Sequence, residues 1–194
     1  MRNQGVKAVA VSLLAGVILG GAALAGPLTL KEHRIAWSGA MPVQAHNGTL
    51  TPKAVDLAAG ADGVIERLRV VLDMTSIANE DIKKEGSRKK LEAHLRSEDF
   101  FHVEKYPEAT FEMKAYDGKM LSGVLTIRGI SKDITVPATF NQGGDGHWTL
   151  ETDFSFNRQE FNVNYQNRGL LGTAKNKLIA DEVKVKVSLV FAGS

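Results

Sequence analysis

Val64-Ile-Glu-Arg-Leu-Arg-Val-Val-Leu-Asp-Met74 decides the fold. Val64, Glu66, Leu68, Val70, Leu72 and Met74 alternate with Ile65, Arg67, Arg69, Val71 and Asp73, so one face is largely apolar and the other largely charged. A period of two sustained over this length predicts a strand with one side in a core and the other in water.

The same pattern recurs outward from this segment. Downstream it covers residues 109–116 (Phe111, Met113), 119–128 (Leu121, Gly123, Leu125, Ile127), 134–140 (Ile134, Val136, Ala138, Phe140), 148–156 (Trp148, Leu150, Phe154, Phe156) and 183–191 (Val183, Val185, Val187, Leu189, Phe191). Upstream, residues 34–39 form a further strand around Trp37. Turn signals stand between these runs at Asn47-Gly48, Asp117-Gly118, Gly129 and the Asn141 to Gly146 cluster, which predicts consecutive antiparallel hairpins. The class is all-β. Seven or eight such strands close into an up-and-down barrel, which removes unpaired edges, or else divide into a two-sheet sandwich. In a barrel, Leu68, Leu72, Met74, Phe111, Leu125, Ile127, Phe140, Trp148, Phe154 and Phe156 point inward.

Residues 81–102 break the pattern. Leu91 and Leu95 fall four apart among Lys89, Lys90, Glu92 and Arg96, which predicts a short amphipathic helical insertion between two strands, with Ser87 as its cap. Ser97 is expected to cap a second turn carrying Phe100 and Phe101 before Pro107 stops it. An insertion so placed is a candidate lid over one barrel end.

The chain has 194 residues with 43% hydrophobic and 24% charged positions and no cysteine, which fits one globular domain and excludes collagen-like, coiled-coil, disordered and disulfide-scaffold classes. Arg2 and Lys7 are the only charges in the first 25 residues, so the rest of the chain carries equal numbers of basic and acidic residues. A neutral body opposes a nucleic-acid partner, which calls for a basic surplus. The uncharged run of residues 8–24 ends in Ala23-Leu24-Ala25, so residues 1–25 are expected to be a cleaved export signal and residues 26–194 the mature domain. A retained anchor is the alternative reading of that run.

Histidines 33, 46, 94, 102 and 147 offer no metal-ligand spacing; His102-Val103-Glu104 starts like a zinc deaminase motif, but its cysteine pair is missing. No nucleophile elbow or phosphate-binding glycine loop is present, and Glu98, Asp99 and Glu104 read as a solvated face. The expectation is a non-enzyme without metal or cofactor. His46, beside Asn47-Gly48, is expected at a strand end, where barrel mouths lie. On the residues alone, the apolar interior either fills itself or holds a greasy ligand.

Two long stretches carry a resemblance. Leu91-Glu-Ala-His-Leu-Arg-Ser-Glu-Asp-Phe-Phe-His-Val-Glu-Lys-Tyr-Pro-Glu-Ala-Thr-Phe111 and Ser122-Gly-Val-Leu-Thr-Ile-Arg-Gly-Ile-Ser-Lys132 resemble the two signatures of the YceI-like family, in the right order. Trp37-Ser38-Gly39, His46-Asn47-Gly48 and Asn157-Arg-Gln-Glu-Phe161 extend the likeness over nearly all of the mature chain. Met41-Pro42-Val43-Gln44 departs from the Lys- or Gly-rich stretch expected between the tryptophan and the histidine. The resemblance implies an extended lipocalin-like antiparallel barrel, exported to the periplasm, holding a polyisoprenoid or other long-chain amphiphile without turnover. It places Leu95, Phe100 and Phe101 over the pocket and Phe111, Leu125 and Ile127 in its wall, with His46, Arg96 and Arg158 at the headgroup; Leu68, Leu72, Phe154 and Phe156, turned inward by alternation, are expected to join the lining. A homodimer and a transient membrane contact for ligand exchange are further expectations. The rivals are a filled barrel acting as a stress-response interaction module and a lipid- or quinone-modifying enzyme with His46 or His94 as base.

Overall fold

The computed structural model describes residues 26–41, 44–60, 63–144, 146–165 and 179–192; the expected export signal lies outside them. Eight strands run in order: β1 (Gly26–Ala40), β2 (Ala45–Ala59), β3 (Ile65–Asn79), β4 (Glu108–Tyr116), β5 (Met120–Ile127), β6 (Ile130–Gln142), β7 (His147–Asn157) and β8 (Glu182–Ala192). Each pairs antiparallel with the next, and β1 pairs with β8, so the sheet is a closed barrel rather than a sandwich. Outward positions carry ion pairs between strands, among them Lys53–Glu108 at 2.6 Å and Arg69–Glu112 at 3.2 Å. Such exposed pairs add little stability individually. A polar exterior around an apolar interior is the reverse of a transmembrane barrel.

The β5–β6 hairpin matches its sequence signal. Ile127 pairs with Ile130, and Arg128 and Gly129 between them both have positive φ, 51° and 73°, the two-residue turn that suits the twist of the flanking strands. Asn47-Gly48 is a correction: it lies inside β2, not in a turn, and the β1–β2 connection is closed instead by Met41 N–H donating to the Gln44 carbonyl. Gly48 serves close approach, since a Cβ there would stand 1.8 Å from the Ala78 carbonyl oxygen and 2.7 Å from the Trp37 ring.

β3 is also corrected at both ends. The register slips between Ala58 and Ala59, which turns Ile65 into the core and leaves Val64 55% exposed. A second slip beyond Asp73 is pinned by side chains: Thr75 N–H donates to Asp73 Oδ1, Ser76 Oγ–H to the Asp73 carbonyl, and Thr51 N–H to Ser76 Oγ. Such bulges reset the alternation, so β3 continues to Asn79 although its period-two pattern stops at Met74.

The insertion between β3 and β4 contains α1 (Glu85–Arg96). Glu85 in its first turn and His94 and Arg96 in its last complement the helix dipole. Ser87 is not its cap: Lys84 occupies that position without a side-chain bond, and Ser87 falls within the first turn. Ser97 closes the helix at its other end, its hydroxyl bonding the His94 carbonyl, while its own carbonyl accepts from Phe100 and His102 N–H to form the following turn.

The interior divides into two apolar clusters. Leu57, Ile65, Leu68, Leu121, Trp148, Leu150, Leu189 and Phe191 fill one half of the barrel. Met74, Ile77, Leu95, Phe100, Ala109, Leu125, Ile127, Phe161 and Val163 line the other, under α1 and the short 3-10 helix Arg158–Phe161.

Candidate functional site

The second half is hollow. A cavity of about 370 Å³ opens there, in the range of small-molecule sites. Its wall comes from the ends of the strands: Ile35, Trp37 and Gly39 of β1, Leu50 of β2, Leu72, Met74 and Ile77 of β3, Ala109 of β4, Leu125 and Ile127 of β5, Phe154 and Phe156 of β7, Val183 and Val185 of β8. Its roof is α1 with the turn that follows, through Leu91, His94, Leu95, Phe100 and Phe101, joined by Val163, Tyr165 and Ile179. The His94 ring meets Phe100 and Tyr165 edge-on, with centroids 5.1 and 4.6 Å away. Arg128 ties the roof together, donating to the carbonyls of Glu98 (2.9 Å) and Asn162.

Of the residues expected at the pocket, His46, Leu72, Leu95, Phe100, Phe101, Leu125, Ile127, Phe154, Phe156 and Arg158 come together in this lining. Leu68, Phe111 and Arg96 do not. Leu68 faces inward but belongs to the filled half. Phe111 is the cross-strand neighbour of Leu125, yet its ring lies over Gly123, where a Cβ would meet it at 2.5 Å, and packs into the filled cluster. Arg96 turns back along the helix, donating to the Ile77 carbonyl at 3.3 Å and pairing with Glu92 at 3.7 Å.

Two polar residues of the lining, His46 and Arg158, are held by the protein itself, whereas the buried Trp37 Nε1 has no hydrogen-bond partner. His46 Nδ1 lies 2.9 Å from Asp81 Oδ2, and its Nε2 lies 2.8 Å from Gln44 Nε2. Asp81 also accepts from Asn47 N–H and Asn79 Nδ2. Burial works to raise the Asp81 carboxyl, but these hydrogen bonds outweigh it and hold it down at about 2. The ionised Asp81 accepts a hydrogen bond from Nδ1–H, and in that tautomer Nε2 accepts from the Gln44 amide.

Arg158 is 1% exposed and lines the cavity, but its guanidinium is used by the backbone. Nε donates to the Ala180 carbonyl at 3.0 Å, Nη1 to Val163 at 2.5 Å and Nη2 to Ile179 at 3.2 Å, with Asp181 Oδ1 at 3.7 Å. Burial lowers its pKa, and Asp181 opposes that. It staples the chain returning to β8 rather than offering a free headgroup donor. Among the described residues no cluster of three or more His, Asp or Glu is grouped to hold a metal ion.

The sequence pattern missed several wall residues. Ile35 and Leu50 sit on strands whose full length was not apparent, and Ile77 lies beyond a bulge. The period-two run of β8 pointed to Val183 and Val185, but not to their position at the hollow end.

The fold agrees with comparison to known proteins. The family model of the YceI-like domain matches residues 23–191, so the chain belongs to that family. Protein YceI of Escherichia coli is 28% identical over 107 residues, 50% of this chain and 52% of the relative. The matched region spans about half the length of the curated relatives. Among solved structures, BcnA of Burkholderia cenocepacia is similar with a TM-score of 0.60 at 24% identity, covering 81% of this chain and 95% of that one. A polyisoprenoid-binding domain from Saccharophagus degradans, implicated in plant cell wall breakdown, is similar with a TM-score of 0.63 at 13% identity, covering 89% and 100%. At these identities the structural likeness speaks for the fold.

Proposed function

We propose that the protein is a periplasmic carrier that shields the long hydrocarbon of a polyisoprenoid or similar amphiphile from water without altering it. The observation that carries this reading is the half-hollow barrel: one end is filled by its own side chains, while the other keeps a cavity of about 370 Å³ with an almost wholly apolar lining. Each methylene moved from water into such a lining gains about 0.8 kcal/mol, so a dozen give several kcal/mol after ordering costs. Family membership and the polyisoprenoid-binding name of the Saccharophagus degradans neighbour support the cargo class. Leu72, Leu95, Phe100, Phe101, Leu125, Ile127, Phe154 and Phe156 would touch the chain, with His46 at the polar end. Titrating delipidated protein with a polyprenol tests this; saturable one-to-one uptake is expected, and no uptake by folded protein would sink it.

Export rests on the amino-terminal run, with residues 1–25 removed and the mature domain starting near Gly26. Amino-terminal sequencing of the exported protein checks it, and an intact Met1 in the membrane fraction would overturn it.

A second reading has one observation in its favour. Asp81 orients His46 at the cavity wall, the arrangement a general base requires. Loss of turnover with binding retained in His46→Ala would favour an enzyme acting on the bound amphiphile.

A further inference from the structure

Lys83, Lys84, Arg88, Lys89 and Lys90 gather five cations around the amino-terminal end of α1, with Glu85 the one acid in that stretch. The chain beyond residue 25 carries equal numbers of basic and acidic residues overall and is net acidic outside this stretch, so this is a local surplus. Of the five, Lys89 alone has an ion-pair partner among the described residues, Glu85 at 2.7 Å. The neighbouring acids are already engaged. Glu80 pairs with Arg34 at 2.8 Å, Asp81 holds His46, and Glu92 accepts from Asn79 N–H and pairs with Arg96. The four lysines are exposed and Arg88 partly so. Immediately beyond them the same helix turns Leu91, His94 and Leu95 to the cavity.

We propose that this basic end of α1 docks the protein on anionic phospholipid, setting the lidded, hollow end of the barrel against a bilayer. Its purpose as an exchange site rests on the carrier reading; the docking itself does not. Charge complementarity favours a lipid surface as the partner. Unpaired cations on the segment entering α1 and on its first turns can meet a laterally mobile array of phosphates without shape matching, and each basic residue near such a surface strengthens partition roughly five-fold. The cluster also borders an apolar cavity, and a bilayer is the source and destination of long-chain amphiphiles. Attraction of this kind is reversible and weakens with salt, which suits delivery rather than anchoring.

The test is flotation of the purified protein with vesicles of equal parts phosphatidylcholine and phosphatidylglycerol, against vesicles of phosphatidylcholine alone, at low and high salt. Binding to the anionic vesicles only, suppressed by salt, is expected. The combined variant K83Q/K84Q/R88Q/K90Q should lose about a hundred-fold or more in partition. K83R/K84R/K90R should keep it, and K31Q/K119Q at the filled end should leave it unchanged. Equal binding to both vesicle types, no binding, or full binding by the glutamine variant overturns the proposal; so does a cluster that captures an acidic protein while ignoring vesicles. Native mass spectra of the unsubstituted protein separate the two claims: cargo present without vesicle binding sinks only the docking, and vesicle binding without cargo sinks only the carrier reading.

Discussion

The imidazole of His46, near the start of β2, and the carboxylate of Asp81, on the way from β3 into α1, stand 2.9 Å apart at the cavity wall. This contact joins the rim of the barrel to the base of its lid. Because the folded Asp81 carboxyl is held at about 2, below its ordinary 3.8, it stabilises the fold fully above pH 3.8 and loses that contribution as pH falls toward 2. Asp81→Asn should cost about 2 kcal/mol at neutral pH and flatten the dependence across that acidic window. Urea unfolding at a series of pH values checks it; an unchanged slope would detach Asp81 from lid stability.

Gly48 meets the Ala78 carbonyl so closely that a methyl group would have to displace backbone. Gly48→Ala should therefore destabilise by about 3 kcal/mol, as overpacking of a rigid site does. A denaturation midpoint equal to wild type would show that β2 and β3 can separate without cost.

Phe111 and Leu125 are register partners on opposite sides of the boundary between filled and hollow halves. Phe111→Ala should lose about 3 kcal/mol of stability yet leave uptake of a fluorescent fatty-acid probe nearly intact. Ile127→Trp, which puts bulk into the cavity, should do the opposite: little loss of stability and clearly weaker uptake. Equal effects of the two substitutions on uptake would contradict the division.

Arg158 serves three carbonyls at once. Lysine keeps the charge but not the fork, so Arg158→Lys should cost about 3 kcal/mol by leaving buried carbonyls unpaired. A variant as stable as wild type, by urea unfolding, would mean that these carbonyls find other partners.

Strand identity was legible because alternation is local: β5 and β7 were expected over residues 119–128 and 148–156 and occupy Met120–Ile127 and His147–Asn157. Depth along the barrel was not legible. Leu68 and Leu72 share a face of β3, but period two assigns a side chain to inside or outside and says nothing of the half it occupies. The ring of Phe111 turned away because Gly123 left room for it, a cross-strand effect invisible in either strand alone. Asn47-Gly48 carried a turn signal that tertiary packing overrode, and the bulges of β3 hid Ile77. The resemblance put Arg158 at the headgroup, and its use by the backbone was not legible because its carbonyl partners Ile179 and Ala180 lie on a segment with no pattern of its own.

The most direct test of the carrier reading compares native with denaturing mass spectra of the mature protein, purified gently from the periplasm of a native-like host. The account predicts a stoichiometric long-chain species in the folded protein that is released on unfolding. A reproducibly empty protein that also refuses added polyprenols and fatty amphiphiles would contradict it.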